Sequence, residues 1–404
     1  MAGITGMADT FDAPNFVGPL FGLTPQDTPY LSMSGGMSGG EAADATMFTW
    51  QTYDLRAASQ NTRLEGAAAP TAEERIRATV RNVVEIHQET IDISWTKQAA
   101  TGQYGALASS HPQIEGLTDT SVLNEMDWQT EQMVKQVARD VEYSFINGTF
   151  VEPANNSTAR QTRGIVEAIT TNVIDLGTLA TDVTGETADD LIDDVAHPFT
   201  DNDQVRFTAL VGGSNLTIDR AYYVVSELAN SFQLANTKGG TPLALGSNIT
   251  ATSTLIKLAP LTDVAIIDAL QLGWENGGFS ESEATTIWVN AFNKRQLTTQ
   301  FITDGNYREQ SRNVGGVNVL TIETDFGRLN VALNRHLRTH EVVIASMELV
   351  SPVFLPIENK GFLFSVPLSL VGANNQRMLY GEIGHKYGHE RFHAKVLNTT
   401  ADIV

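Results

Sequence analysis

The run Ser121 to Asn147, SVLNEMDWQTEQMVKQVARDVEYSFIN, contains neither proline nor glycine and stops against Gly148. As one continuous helix it makes a rod of about 40 Å. Met126, Met133, Val137, Val141 and Phe145 recur at steps of seven and four, which draws a single apolar stripe along it. Glu131 and Lys135 form an i,i+4 pair on another face. Asp119, Thr120 and Ser121 are candidate N-caps. Most of the remaining chain reads as short strand-like runs, so a rod of this length is either a scaffold with something packed along one side or an ordinary long core helix. Its flanks decide between the two.

With 404 residues, 42% of them hydrophobic and 18% charged, the chain has room for two or three domains and a sizeable core. Its 47 acidic residues against 26 basic ones give a net charge of −21, a surface that repels nucleic acid and anionic membranes. There is no cysteine, hence no disulfide framework and no thiol chemistry. The N-terminus MAGITGMADTFDAPNF lacks a basic segment and a continuous apolar core, so no signal peptide is expected. No apolar run reaches the roughly 18 residues of a membrane span.

Residues 1–46 carry little periodicity. Pro14, Pro19, Pro25 and Pro29 interrupt helices, and Gly35, Gly36, Gly39 and Gly40 follow. Phe11, Phe16, Phe21, Tyr30 and Leu31 are spaced along this segment, which suits an extended arm lying on another surface. Met47–Leu55 reads as a strand. Arg75–Thr96 reads as one long strand or two, with Ile91, Ile93 and Trp95 alternating. The small and charged stretch between them makes a long hairpin arm, marginal alone and expected to rest on a neighbour. A loop and a short strand follow the helix. Residues 188–259 form an all-β module, with strand runs Gln204–Leu210, Ala221–Val225 and Ser231–Leu234 divided by glycine turns, inserted into a loop of the main domain. The main domain resumes at Thr262 with a helix, Asp263–Asn276, ended by Gly277 and Gly278. Strands are expected near 284–290, Val319–Thr324, Asn330–Asn334 and Val342–Ala345. Strands and helices mix without βαβ regularity, so the fold class is α+β.

HERFH, from His389 to His393, fits the H-E-x-x-H zinc pattern, and His385 adds a third histidine at the same spacing. A zinc protease needs this motif on a helix with a further ligand downstream. Gly384 and Gly388 disfavour a helix, and the chain ends shortly after. The acidic run ADDLIDD at 188–194 lacks the spacing of a calcium-binding loop and reads as a solvated helix end. No phosphate-binding glycine loop, dinucleotide fingerprint or nucleophile elbow is present, nor a basic cluster interleaved with aromatics. No catalytic, cofactor-binding or metal-binding residues are assigned, which points to a structural protein.

The order of elements and several stretches of wording carry a resemblance. TFDAPNFVGPLFGLTPQDTPYLSMSGG, WQTYDLRAASQNTRLEG, DVEYSFINGT, DALQLGWENGG and FLPIENKGFLFSVPLSLVGANNQRMLYGE are similar to the major capsid proteins of tailed bacteriophages. The resemblance implies an N-terminal arm (1–46), an E-loop hairpin with its base (47–100), and a P domain (101–170) whose spine helix is 121–147. It further implies an A domain (171–187 and 260–345), a small all-β insertion domain (188–259), and C-terminal strands (346–404) returning to the P domain. HERFH then lies on a P-domain strand, its histidines forming a surface row.

The implied function is self-assembly into the pentamers and hexamers of an icosahedral head, with no enzymatic activity and no cofactor. The shell encloses the DNA genome without sequence-specific binding. The implied location is the virion capsid, assembled in the host bacterial cytoplasm and not on a membrane. Partners are copies of the chain, with separate scaffold, portal and decoration proteins. The arm residues expected between subunits are Arg56, Arg63, Glu65, Glu73, Glu74 and Arg75 at the E-loop tip, and Phe11, Phe16, Phe21 and Tyr30 on the N-arm. The chain departs from the cross-linking member of the family, since no lysine lies between Leu55 and Trp95. The N-arm wording starts within ten residues of Met1, so any scaffold is expected to be a separate protein. The alternatives are a tail or other virion structural protein, or a zinc hydrolase built on HERFH.

Overall fold

A computed structural model describes residues 26–97, 125–279, 285–299, 310–314, 317–370 and 372–401. The chain is α+β and divides into two compact units. The first unit takes Met1–Asp27, Gln88–Val137 and Phe364–Tyr380. The second takes Thr28–His87, Ala138–Leu363 and Gly381–Val404.

The spine helix is described from Glu125 to Asn147, and it carries chain from one unit into the other. Its N-cap candidates, Asp119, Thr120 and Ser121, lie outside the described residues. All five residues of the apolar stripe are buried, from Met126 to Phe145. Glu125 and Asp127 sit in the first turn, where acidic groups complement the helix dipole, and Glu131 pairs with Lys135 at 2.7 Å. Gly148 ends the helix by close approach. A Cβ there would lie 2.4 Å from both the Ser144 and the Thr162 carbonyl oxygens. The space is taken by the strand-like return at Gly164, whose amide donates to the Gly148 carbonyl at 2.8 Å.

In the first unit, Lys97 meets Glu125 at 2.6 Å. The Asp92 carboxylate accepts from the side-chain amides of Asn374 and Gln376 at 2.6 and 3.0 Å, a polar ladder between paired strands. Ile91 and Ile93 alternate inward on the strand Glu85–Ser94. Trp95, expected to continue that alternation, lies past the strand end and is half exposed, its indole nitrogen donating to Asn375.

The second unit is built on a mixed seven-stranded sheet. Its order is Gln310–Val314, Val317–Thr324, Gly327–Leu333, Thr285–Val289, Glu341–Ser346, Ala394–Leu397 and Val173–Asp175. Thr285–Val289 and Glu341–Ser346 are buried along their whole length. The helix Asp263–Glu275 lays Ala265, Ile266, Ala269 and Leu270 into the same core as Ile287, Val331 and Ile344. Thr262 caps it, its hydroxyl accepting from the Ala265 amide at 3.2 Å. The last strand, Ala394–Leu397, inserts between Glu341–Ser346 and Val173–Asp175. Ala394–Leu397 belongs with the central sheet, because its alternate residues Ala394 and Val396 fill that sheet's core.

The β module is a closed six-stranded barrel. Its strands are Thr178–Glu186, Leu191–Asp193, Gln204–Ala209, Ala221–Leu228, Ser231–Ala235 and Ile249–Lys257. It begins at Thr178, ahead of the expected boundary at 188, because Thr178–Glu186 pairs antiparallel with Ile249–Lys257. Phe199, Phe207, Tyr222, Phe232 and Leu255 fill its interior. The acidic run 188–194 is a turn and the strand Leu191–Asp193, not a helix end. Asp189 and Asp190 act there as turn formers, accepting from the Leu191 and Leu245 amides.

Candidate functional site

The E-loop arm starts as a two-stranded ladder, Met47–Tyr53 against Arg77–Val83. Arg75–Thr96 thus holds two strands, divided at Val84, whose amide donates to Thr46. The arm's base is fixed to the segment 384–388. Trp50 donates its indole N–H to the Gly388 carbonyl and sets its ring edge-on to Tyr387 at 5.1 Å. Gly384 is required there, since a Cβ would fall 2.6 Å from the Phe48 ring. Buried Asn82 is satisfied on every side. Its Nδ2 donates to the carbonyls of Arg163 and His385, and its Oδ1 accepts from the amides of Val83 and Arg163.

Beyond Tyr53 the backbone leaves regular structure until Arg77, and every residue in between is exposed. Among the expected tip residues, Glu73 sits between Arg56 at 3.7 Å and Arg75 at 3.2 Å. Arg63, Glu65 and Glu74 make no ion pair among the described residues. The tip also exposes large apolar side chains: Tyr53 (71%), Leu55 (66%), Leu64 (85%) and Ile76 (79%). Solvated ion pairs of this kind contribute little singly. Exposed apolar groups in a loop without a core beneath it are the more informative feature.

Phe11, Phe16 and Phe21 lie outside the described residues. Tyr30 does not act as expected of an arm residue. It belongs to a helical turn, Pro29–Ser34, and is fully buried within its own unit. Buried Glu142 of the spine helix accepts the Tyr30 and Leu31 amides at 3.0 and 2.6 Å, which replaces a side-chain N-cap for that turn. The Tyr30 ring stands edge-on to Trp288 at 5.3 Å, and its hydroxyl lies 3.1 Å from His385 Nε2. Burial, with Glu142 nearby, raises the Tyr30 phenol well above its ordinary value. Sequence reasoning missed Glu142 and Asn82. A signal for the helical turn existed in Thr28-Pro29, an N-cap type followed by proline at the first helical position.

The three histidines do not form a surface row. His385 lies next to the last residue of the strand Asn374–Lys386, while His389 and His393 flank a single 3₁₀ turn, Glu390–Phe392. His385 and His393 are fully buried. His385 Nδ1 donates to the Arg163 carbonyl, so its Nε2 accepts from the Tyr30 hydroxyl. His393 Nδ1 accepts the Ser346 amide, so its Nε2 donates to the Tyr387 carbonyl at 2.7 Å. Each nitrogen of both rings is in use, and burial keeps the two rings neutral. Burial pushes His385 down to about 3 and His393 down to about 4. His389 accepts the Arg391 amide, and Glu390 accepts the amides of Thr170 and Thr171. Among the described residues no group of three potential ligands could hold a metal ion. The motif instead ties the arm's base to the sheet.

Glu85, beside the arm, is a further buried acid. Burial pushes its carboxyl up, but hydrogen bonds from His87, Ser144 and the Thr162 amide outweigh this and hold it below the usual carboxylate value. Among the described residues no helix is long and apolar enough to cross a membrane.

The fold thus combines a long helix, a mixed seven-stranded sheet, a two-stranded arm with an exposed loop, and C-terminal strands shared between two sheets. The Cyanophage A-1(L) capsid chain has the same fold, with a TM-score of 0.53 over 97% of this chain and 98% of that one at 8% identity. The family model described as SU10 major capsid protein matches residues 3–400, and the chain belongs to that family. It is 30% identical over 127 residues to the major capsid protein of Escherichia phage Phieco32, 31% of this chain and 30% of that protein. The match thus spans under a third of that relative's length.

Proposed function

We propose that this chain assembles with copies of itself, as pentamers and hexamers, into the icosahedral head shell of a tailed phage around its DNA. Its role is structural rather than enzymatic, and assembly takes place in the cytoplasm of the host bacterium. Scaffold, portal and decoration proteins are further partners. The observation that carries this reading is the arm. Between Tyr53 and Arg77 it offers exposed apolar side chains together with Arg56, Arg63, Glu65, Glu73, Glu74 and Arg75, and it has no core of its own. Burying one large apolar side chain against a neighbour is worth roughly 1.5–3 kcal/mol. Several per subunit, repeated over a closed shell, offset the ordering of the loop. Phe11, Phe16 and Phe21 add anchors of the same chemistry. With a net charge of −21, the chain encloses DNA without gripping it.

Replacing residues 55–75 by a short turn tests the proposal. The expected result is a subunit with the parent's melting temperature that no longer forms shells. Normal shells from the loop-deleted chain would overturn the role given to the arm.

A further inference from the structure

The barrel is joined to the rest of its unit by two legs, the chain entering at 176–177 and leaving at 258–259. The strands above these legs are hydrogen-bonded to each other, Thr178 opposite Lys257, so the legs stand side by side. Two adjacent legs fix where a domain sits but leave it free to rotate about their common line. A third attachment, to the neighbouring barrel strand Gln204–Ala209 as well as to the exit leg, is supplied by the residues that follow Ala394–Leu397.

Each of residues 398–401 is held by the barrel or its exit leg, by the central sheet and its helices, or by both. Asn398, with φ at +61°, donates its side-chain amide to Asp175, while its Oδ1 accepts Arg206 Nε of the barrel at 2.9 Å. Its backbone carbonyl accepts the Ala259 amide at 3.0 Å. Thr399 donates its amide to the His340 carbonyl, and its hydroxyl accepts from Asn293. Thr400 donates its amide to the Ala259 carbonyl, and its hydroxyl accepts from Gln296. Ala401 is gripped at both backbone groups by Gln204 of the barrel, donating to Oε1 at 2.8 Å and accepting from Nε2 at 2.6 Å. Its methyl group packs with Ala221 and Leu258. Arg206 also pairs with Asp219, which reaches Arg338 at 3.5 Å. Arg206, Asn398, Thr399 and Ala401 are all buried, so these bonds are made out of water, where losing one partner is costly.

We propose that residues 398–401 are a latch that sets the angle of the barrel, through the seating of Ala401 on Gln204 and of Asn398 on Arg206. The barrel has its own filled core and closes independently of the latch. Its aim is fixed only when the last strand has entered the central sheet. A chain that has not completed its C-terminal strand therefore carries a folded but swinging barrel, and the finished chain carries a rigid one.

The absence of native cysteine allows a direct test on full-length, unassembled subunits. Spin labels at Ala229→Cys, on an exposed barrel turn, and Glu275→Cys, at an exposed helix end of the body, report the distance between the two. The parent should give one narrow distance distribution. Gln204→Leu together with Asn398→Ala should broaden it at least twofold, while amide-exchange protection at Phe207, Val224 and Leu234 in the barrel core stays within a factor of two of the parent's. Gln204→Leu alone should produce a smaller broadening and covers the case in which the double variant does not fold. An equally narrow distribution in both variants would overturn the latch. So would loss of core protection in Gln204→Leu, which would make 398–401 part of the barrel's own fold.

Discussion

The Tyr30 hydroxyl stands 3.1 Å from His385 Nε2, joining the first described helical turn of the chain to a strand near its C-terminus. Each group is buried and each depends on the other, since His385 spends its Nδ1 proton on the Arg163 carbonyl. Tyr30 and Leu31 are thus part of the subunit's own core, and the second unit starts just ahead of them, at Thr28. Removing residues 1–27 should leave the melting temperature of the subunit close to the parent's. Removing 1–34 should lower it sharply. Glu142→Ala, which strips the cap from the Tyr30 and Leu31 amides, should cost on the order of 3 kcal/mol in denaturant unfolding. Equal stability of the two truncations would show that the helical turn is dispensable.

The two buried neutral histidines predict a pH dependence. Unfolded, each takes a proton near pH 6.5. Folded, His385 resists until about 3 and His393 until about 4. The unfolded state therefore binds more protons throughout that window, and stability falls as pH drops below 6.5. The slope should approach roughly 1.4 kcal/mol per pH unit for each histidine. Glu85 and Glu341, both held below the usual carboxylate value, add to the loss further down. Urea unfolding between pH 7 and 4.5 measures it. His393→Gln, if it folds, should flatten the slope by about one proton. A slope unchanged in that variant would mean that another group carries the effect.

HERFH should bind no stoichiometric zinc. Every ring nitrogen of His385 and His393 is engaged in a hydrogen bond, and Nδ1 of His389 accepts the Arg391 amide. Elemental analysis after dialysis should find far less than one zinc per chain, and His389→Ala should leave stability nearly unchanged. One zinc per chain, lost in that variant, would reverse this conclusion.

With no lysine between Leu55 and Trp95, the arm has no amine for a covalent bond to a neighbour. Particles boiled in detergent should run as a single band near 43.8 kDa. A ladder of multimers would require a cross-link elsewhere in the chain.

Much of this architecture was legible in the sequence because it rests on local pattern. The stripe Met126 to Phe145 requires only helical periodicity, and all of it is buried. The helix after Thr262 was marked at its end by Gly277 and Gly278, and the structure ends it there. What stayed hidden depends on contacts distant in sequence. Thr178–Glu186 joins the barrel because of a partner about seventy residues later, and nothing in its own composition says so. Burial of the three-histidine segment is set by Ser346, Arg163 and Tyr30, none of them near it in the chain. Glu142 reads as one more charge on a polar helix face until the Tyr30 turn is placed against it. The exposed arm tip was legible for the opposite reason: it makes few contacts, and its composition alone describes it.

The property on which the rest depends is that the chain builds a shell. Negative-stain electron microscopy of the purified full-length protein, with light scattering across a concentration series, tests this most directly. The predicted result is capsomer-sized rings or closed shells of uniform diameter, which disappear when residues 55–75 are replaced by a short turn. Monodisperse particles of 43.8 kDa at every concentration, with or without the arm, would contradict it.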